Sequence, residues 1–293
     1  MSRWKAETAL LGNTILWGAS FVIVKGALAR ISPILFLAFR FSLAAVVLLA
    51  IFRRRPGARA IARREVRAGM LVGALLFLGF LLQTVGLQFT TTPKSAFLTG
   101  MTSVAVPLVG ALVYRIRPQR SELLGLLTAT AGMSLMTLEG PIGSMNRGDL
   151  LTLGCAVAYA GHIVTLGHFS EKMSFEALSV IQIATAAALA GALFWWAEPA
   201  HIVWRPNLVA AILVTGLLCT AWAFTIQAWA QQYTSSARTA LIFTLEPVFA
   251  WLTSYLFVGE GLSARAAAGA ALILGGVLLV ETKPLNPRLH PSD

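Results

Sequence analysis

The chain has 293 residues, of which 57% are hydrophobic and only 12% charged, with a net charge of +11. A soluble domain carries about 25% charged residues, so a chain this poor in charge is expected to have lipid as its solvent. The Lys and Arg residues stand between apolar segments rather than along one polar face, which argues against a nucleic-acid surface, and no nucleotide-binding loop of the Walker or Rossmann type is present.

Residues 1–27 have the outline of a signal peptide, with Arg3 and Lys5 ahead of an apolar core. Glu7 lies before that core, however, no small-x-small cleavage site follows, and Lys25 stands where cleavage would occur. A first membrane span is the better reading, and its stretch "NTILWGASFVIVKG" carries Asn13, Trp17, Ser20 and Lys25.

A helix needs about 20 apolar residues to cross the hydrocarbon core. Segments of that kind recur at roughly 7–28, 33–52, 68–88, 94–114, 121–139, 149–169, 175–197, 207–230, 237–257 and 264–281. The links between them are too short to be domains. With a cytoplasmic N-terminus, sixteen of the 23 Lys and Arg residues fall on the inner links and the two ends, against five on the outer links. That bias places both termini inside, in the inner membrane of a bacterium, with a short cytoplasmic tail over 282–293. Cys155 and Cys219 lie inside apolar segments and make neither a disulfide framework nor a metal spacing.

The two halves can be laid over one another. "ILWGASFVIVKGAL" matches "AVAYAGHIVTLGHF" with a shift of 142, so Trp17 meets Tyr159, Ser20 meets His162, Arg40 meets Gln182, and Lys25 meets Gly167. Further on the shift drifts between about 140 and 144, and Pro107 falls opposite Pro247. Five spans per half is an odd number, so the second half inserts upside down relative to the first. The expected fold is an all-α polytopic membrane protein of about ten helices, as two inverted five-helix repeats over 7–139 and 149–281. Such folds place a substrate site near the midplane, between the repeats.

Ionisable and polar groups at membrane depth are costly, so each is a candidate for function. Lys25 either snorkels to the interface or meets a substrate carboxylate. Arg40, seven residues after Pro33, either ties helix ends together or binds a carboxylate. Glu246 precedes Pro247 and is a candidate for proton coupling, or else a protonated carboxyl at a kink. Trp17, Ser20, Tyr159, His162, Trp222 and Phe243, with Gln83 and Gln227, lie well inside spans. Mid-span aromatics beside amides suit a solute with an apolar body and a zwitterionic head. Trp195, Trp196 and Trp204 fit the interfacial aromatic belts instead. Pro107 and Pro247 are candidate hinges, and glycines such as Gly125, Gly132, Gly269, Gly275 and Gly276 allow close helix packing. His162 and His168, six apart, do not share a helix face as metal ligands would, and no cofactor is implied.

The "WG.SFV..K" of the first span, "RF..A" of the second, the late "T..LEPVFA.L..YLF.GE.L" and the closing "G.ALILGGVLLVE" together resemble the EamA family of the drug/metabolite transporter superfamily, over nearly the whole chain. Within it the chain looks closest to the YddG-type aromatic amino-acid exporters. The resemblance implies export of amino acids or related small metabolites by alternating access. The lipid bilayer is the expected surroundings and a monomer is the expected working unit, although the sequence itself does not give the oligomeric state. Three other readings stay in view. A drug or sugar-nucleotide carrier would want more cavity cations than Lys25 and Arg40; a membrane enzyme would want a reactive cluster; a passive channel would show flux that does not saturate.

Overall fold

The computed structural model describes residues 3–53, 62–90, 92–115, 119–137, 145–258 and 263–281. Most of the Arg-rich link after residue 53, Arg117 and the tail 282–293 lie outside these residues. In lipid, backbone N–H and C=O groups have no water to bind, so apolar runs of this length fold as helices that satisfy themselves. The first half contains α1 (Arg3–Leu28), α2 (Pro33–Arg53), α3 (Arg63–Gly86), the broken span α4 (Thr92–Gly100) and α5 (Thr102–Tyr114), and α6 (Arg120–Thr137). The second contains α7 (Arg147–Ser170), α8 (Phe175–Ala197), α9 (Pro206–Gly216) joined through a π-helical turn (Leu217–Trp222) to α10 (Ala223–Ala230), the broken span α11 (Ser236–Phe243) and α12 (Glu246–Val258), and α13 (Ala264–Glu281). Seven spans among the described residues are long and apolar enough to cross a membrane, and Ala264–Val280 is a shorter apolar helix. The α6 helix and the α11–α12 pair fill the two remaining positions, and the chain is an all-α polytopic membrane protein.

Local chemistry sets several helix starts. Asn146, Ser174 and Ser235 each accept a hydrogen bond from the backbone N–H three residues on, and Pro206 opens α9. The helices then pack in pairs that exchange the halves. The α1 helix lies against α12 as α7 lies against α5, while α2 packs on α8 and α6 on α13. The α6–α13 contact depends on glycine. A Cβ on Gly125 would stand 2.7 Å from the Gly276 carbonyl oxygen, one on Gly276 would stand 2.6 Å from that of Gly125, and one on Gly132 would stand 2.8 Å from Ile273 N. Nothing but hydrogen fits there, so the two backbones approach closely. Gly275, which shared the close-packing expectation, faces open space.

Both fourth spans are interrupted, but not where the prolines alone would put the breaks. In the first half the break is at Met101. Thr102 Oγ1 donates to Thr99 O at 2.6 Å and Ser103 Oγ to Gly100 O at 2.9 Å, so side-chain hydroxyls take up carbonyls the helix would use. In the second half Thr244 Oγ1 donates to Leu241 O at 2.6 Å, and Thr244 N and Leu245 N bond three residues back instead of four. Pro247 follows that break at once, whereas Pro107 lies inside α5, six residues beyond its own. The starts of α4 and α11 correspond at a shift of 144, which leaves the two prolines at non-equivalent places.

Candidate functional site

The two broken spans meet α1, α2, α3, α7 and α10 around a central cavity with about 880 Å³ of free space, its open mouth included. The α1 helix contributes Trp17, Ser20, Phe21 and Val24, and α7 contributes Tyr159, His162 and Ile163. Gln83 and Phe80 enter from α3, Thr99, Thr102 and Ser103 from the first broken span, Phe224 and Gln227 from α10, and Phe243 and Glu246 from the second broken span. Arg40 and Glu246 are the charged side chains in that wall.

Two polar residues of α1, Asn13 and Trp17, bond to backbone carbonyls in and just past the unwound segment of the eighth span. Asn13 Nδ2 donates to Ala223 O at 2.7 Å and Trp17 Nε1 to Cys219 O at 2.9 Å. A π-helical turn displaces backbone carbonyls from the α pattern, and such turns recur at functional sites. Arg40 reads the same turn: Nε donates to Thr220 Oγ1 at 2.6 Å and an Nη to Cys219 O at 3.4 Å. Its guanidinium carbon stands 4.4 Å from the Phe80 ring centroid. The side chain is buried, and no carboxylate among the described residues pairs with it. Its position is therefore fixed while its charge stays available to a ligand.

The opposite wall is an amide and hydroxyl chain. Tyr159 Oη donates to Gln83 Oε1 at 3.3 Å, and Gln83 Nε2 donates to Thr99 Oγ1 at 3.1 Å. His162 Nε2 meets Gln182 Oε1 at 2.9 Å, and Gln227 Nε2 donates to Gln231 Oε1 at 3.2 Å. Gln227 Oε1 is buried with no hydrogen-bond partner among the described residues. Between these polar groups runs a set of mutually packed rings. Trp17 stands 4.9 Å from Phe243 and 5.3 Å from Phe224, and Phe80 stands 5.5 Å from Tyr159. The Glu246 carboxylate accepts no hydrogen bond from the described residues.

Of the residues singled out in the sequence, Trp17, Ser20, Arg40, Gln83, Tyr159, His162, Gln227, Phe243 and Glu246 come together here. Two do not. Trp222 is 59% exposed on the outside of the bundle. It lies five positions before Gln227, about 140° around a helix of 3.6 residues per turn, so the two never shared a face. Lys25 donates to the carbonyls of Leu87 and Thr90 just past the end of α3, and it is not among the lining side chains although Leu87 is. Sequence reasoning missed Phe80, Phe224, Thr99, Thr102 and Ser103. Phe224 was within reach, since it stands three positions before Gln227 and shares its face.

Comparison with known proteins agrees with this architecture. The EamA-like transporter family matches residues 4–138 and 146–282. An uncharacterised transporter of Archaeoglobus fulgidus is 30% identical over 97% of this chain and 88% of its own. A protein of Salmonella typhimurium described as a probable amino-acid metabolite efflux pump is 26% identical over 95% of each chain. A solved crystal structure superposes with a TM-score of 0.79 at 19% identity, covering 95% of this chain and 98% of that one, which is a likeness of fold. The chain belongs to the EamA-like transporter family.

Proposed function

We propose that this transporter exports amino acids and similar small metabolites, aromatic ones among them, across the inner membrane by alternating access of a central site. Both termini are then cytoplasmic, as the bias of Lys and Arg toward the inner links suggests. The observation that carries the reading is the charge pattern of the cavity: one fixed cation, Arg40, and one carboxyl, Glu246, in a described wall whose other side chains are aromatic, aliphatic, amide and hydroxyl. A guanidinium in a dry site is a forked donor suited to a carboxylate. The Trp17, Phe224, Phe243 and Phe80 rings offer an apolar bed for a side chain, and Gln227 Oε1 is an acceptor free to take an ammonium proton. The name of the Salmonella relative points to the same substrate class.

Glu246 carries the second part of the proposal. Its carboxyl faces the cavity without a donor among the described residues, so it takes a proton when the site empties and releases it against substrate. A sugar-nucleotide fits poorly, because its phosphates need several cations and the described wall holds one. The experiment is uptake into proteoliposomes of labelled amino acids, with and without a pH gradient. Saturable uptake of aromatic amino acids that the gradient stimulates supports the reading; saturable uptake of none of the panel overturns it.

A further inference from the structure

The repeat is chemically faithful at one further place, outside the cavity wall. At the face where the chain begins, Thr234 Oγ1 donates to Glu7 Oε1 at 3.1 Å, and Arg238 lies 3.7 Å from the same oxygen. At the far face Thr90 Oγ1 donates to Asp149 Oδ1 at 2.7 Å, and Lys94 reaches Asp149 Oδ2 at 2.6 Å. Glu7 and Asp149 differ by 142 positions; Thr90 and Thr234, and Lys94 and Arg238, differ by 144. Each acid sits near the start of the first helix of one half. Each hydroxyl lies two residues before, and each cation in the first turn of, the first segment of the other half's broken span, so that α1 is tied to α11 and α7 to α4.

We propose that these two triads are equivalent latches at the two faces, and that releasing one while the other holds is what alternates access to the cavity. The broken spans make this mechanically plain. The α4 and α11 segments each run from a latch to a break at Met101 or Thr244, and the cavity is lined just past those breaks by Thr102, Ser103 and Glu246. A segment freed at its latch swings about its break and uncovers the site from that face. The latches are unequal in this structure. Glu7 and Arg238 are 6% and 1% exposed, whereas Lys94 is 28% exposed beside a fully buried Asp149. Ser235 Oγ also donates to Glu122 Oε1 at 3.1 Å, which ties the first latch to α6.

The inference rests on the alternating-access reading, but its test needs no substrate. Ser20→Cys places a thiol in the cavity wall, and a membrane-impermeant maleimide is added from either face of oriented vesicles; the protein without this thiol is the blank for Cys155 and Cys219. Glu7→Gln is expected to raise labelling from the face where the chain begins and lower it from the other, changing the ratio by about tenfold for each 1.4 kcal/mol of bias between the two states. Asp149→Asn shifts the ratio the opposite way and by less, and Glu7→Asp and Asp149→Glu return it toward the parent. Ratios that do not move, or that move the same way for both variants, overturn the latches. If Glu7→Gln fails to reach the membrane, Asp149→Asn and Thr90→Val read the far latch with the same two outcomes. Failure of the amino-acid panel leaves this labelling result untouched, so the two readings fail separately.

Discussion

The centre and the two faces of this protein treat the same repeat in opposite ways. At the faces the halves are alike: an acid, a hydroxyl and a cation recur at matched positions, Glu7 with Thr234 and Arg238, Asp149 with Thr90 and Lys94. At the centre they differ. Arg40 has Gln182 as its mate, which turns to His162, and at the shift of 144 found in the broken spans Glu246 stands opposite Thr102. Under the proposed alternating access, parts that move work from both sides, which would account for duplicated chemistry at the faces. A site for a solute with two different ends would be asymmetric, which would account for the unlike centre.

The largest effect is expected where a buried charge loses its partner. Arg238→Gln leaves Glu7 with Arg3 at 3.3 Å and Thr234 as its remaining described partners, and breaking a buried pair costs about 3–5 kcal/mol. A marked fall in melting temperature in detergent is expected. Lys94→Gln leaves the buried Asp149 with Thr90 and the Asn146 backbone N–H as donors and removes a cation that is itself 28% exposed, so a smaller cost of about 1.5–3 kcal/mol is expected. Equal losses for the two variants would show that the faces are equally loaded. Next comes the centre. Arg40→Gln is expected to raise KM for an aromatic amino acid about 10- to 100-fold, the worth of a hydrogen bond to a charged group at about 1.5–3 kcal/mol. Gln182→Ala, the mate, is expected to change it by far less. Glu246→Gln is expected to keep exchange of substrate but lose stimulation by a pH gradient, while Thr102→Val keeps that stimulation. The smallest effect belongs to Trp222→Ala, which faces outward and should leave KM unchanged; Phe224→Ala, on the cavity side, should raise it.

The spans and the repeat were legible because lipid demands long apolar runs, and such runs are visible in any sequence. The breaks were not. They come from hydroxyls on Thr102, Ser103 and Thr244 competing for backbone carbonyls, and Ser and Thr in an apolar helix carry no mark of which carbonyl they will take. Attention to Pro107 and Pro247 also hid the better register. "QFTTTPKSA" and "QYTSSARTA" carry the two latches, and there the shift is close to 144. The cavity was partly legible: costly polar residues led to Arg40, Gln83, His162 and Glu246, whereas Phe80 and Phe224 look like any core ring until the helices are packed. Lys25 lacked a charged mate in the sequence. In the structure it holds the Leu87 and Thr90 carbonyls behind the far latch, and at the other face Gln232 does the matching work, with its amide donating to Ser170 O and Met173 O.

Arg40 is proposed to receive a carboxylate in an aromatic-lined site. Competition against labelled phenylalanine in proteoliposomes, by unlabelled phenylalanine and by phenethylamine, which lacks the carboxylate, tests it most directly in the parent protein and in Arg40→Gln. The parent is expected to prefer the amino acid by about tenfold or more, the worth of one charge-assisted hydrogen bond, and Arg40→Gln to bring the two competitors close to parity. A variant that keeps the parent's full preference would contradict the account.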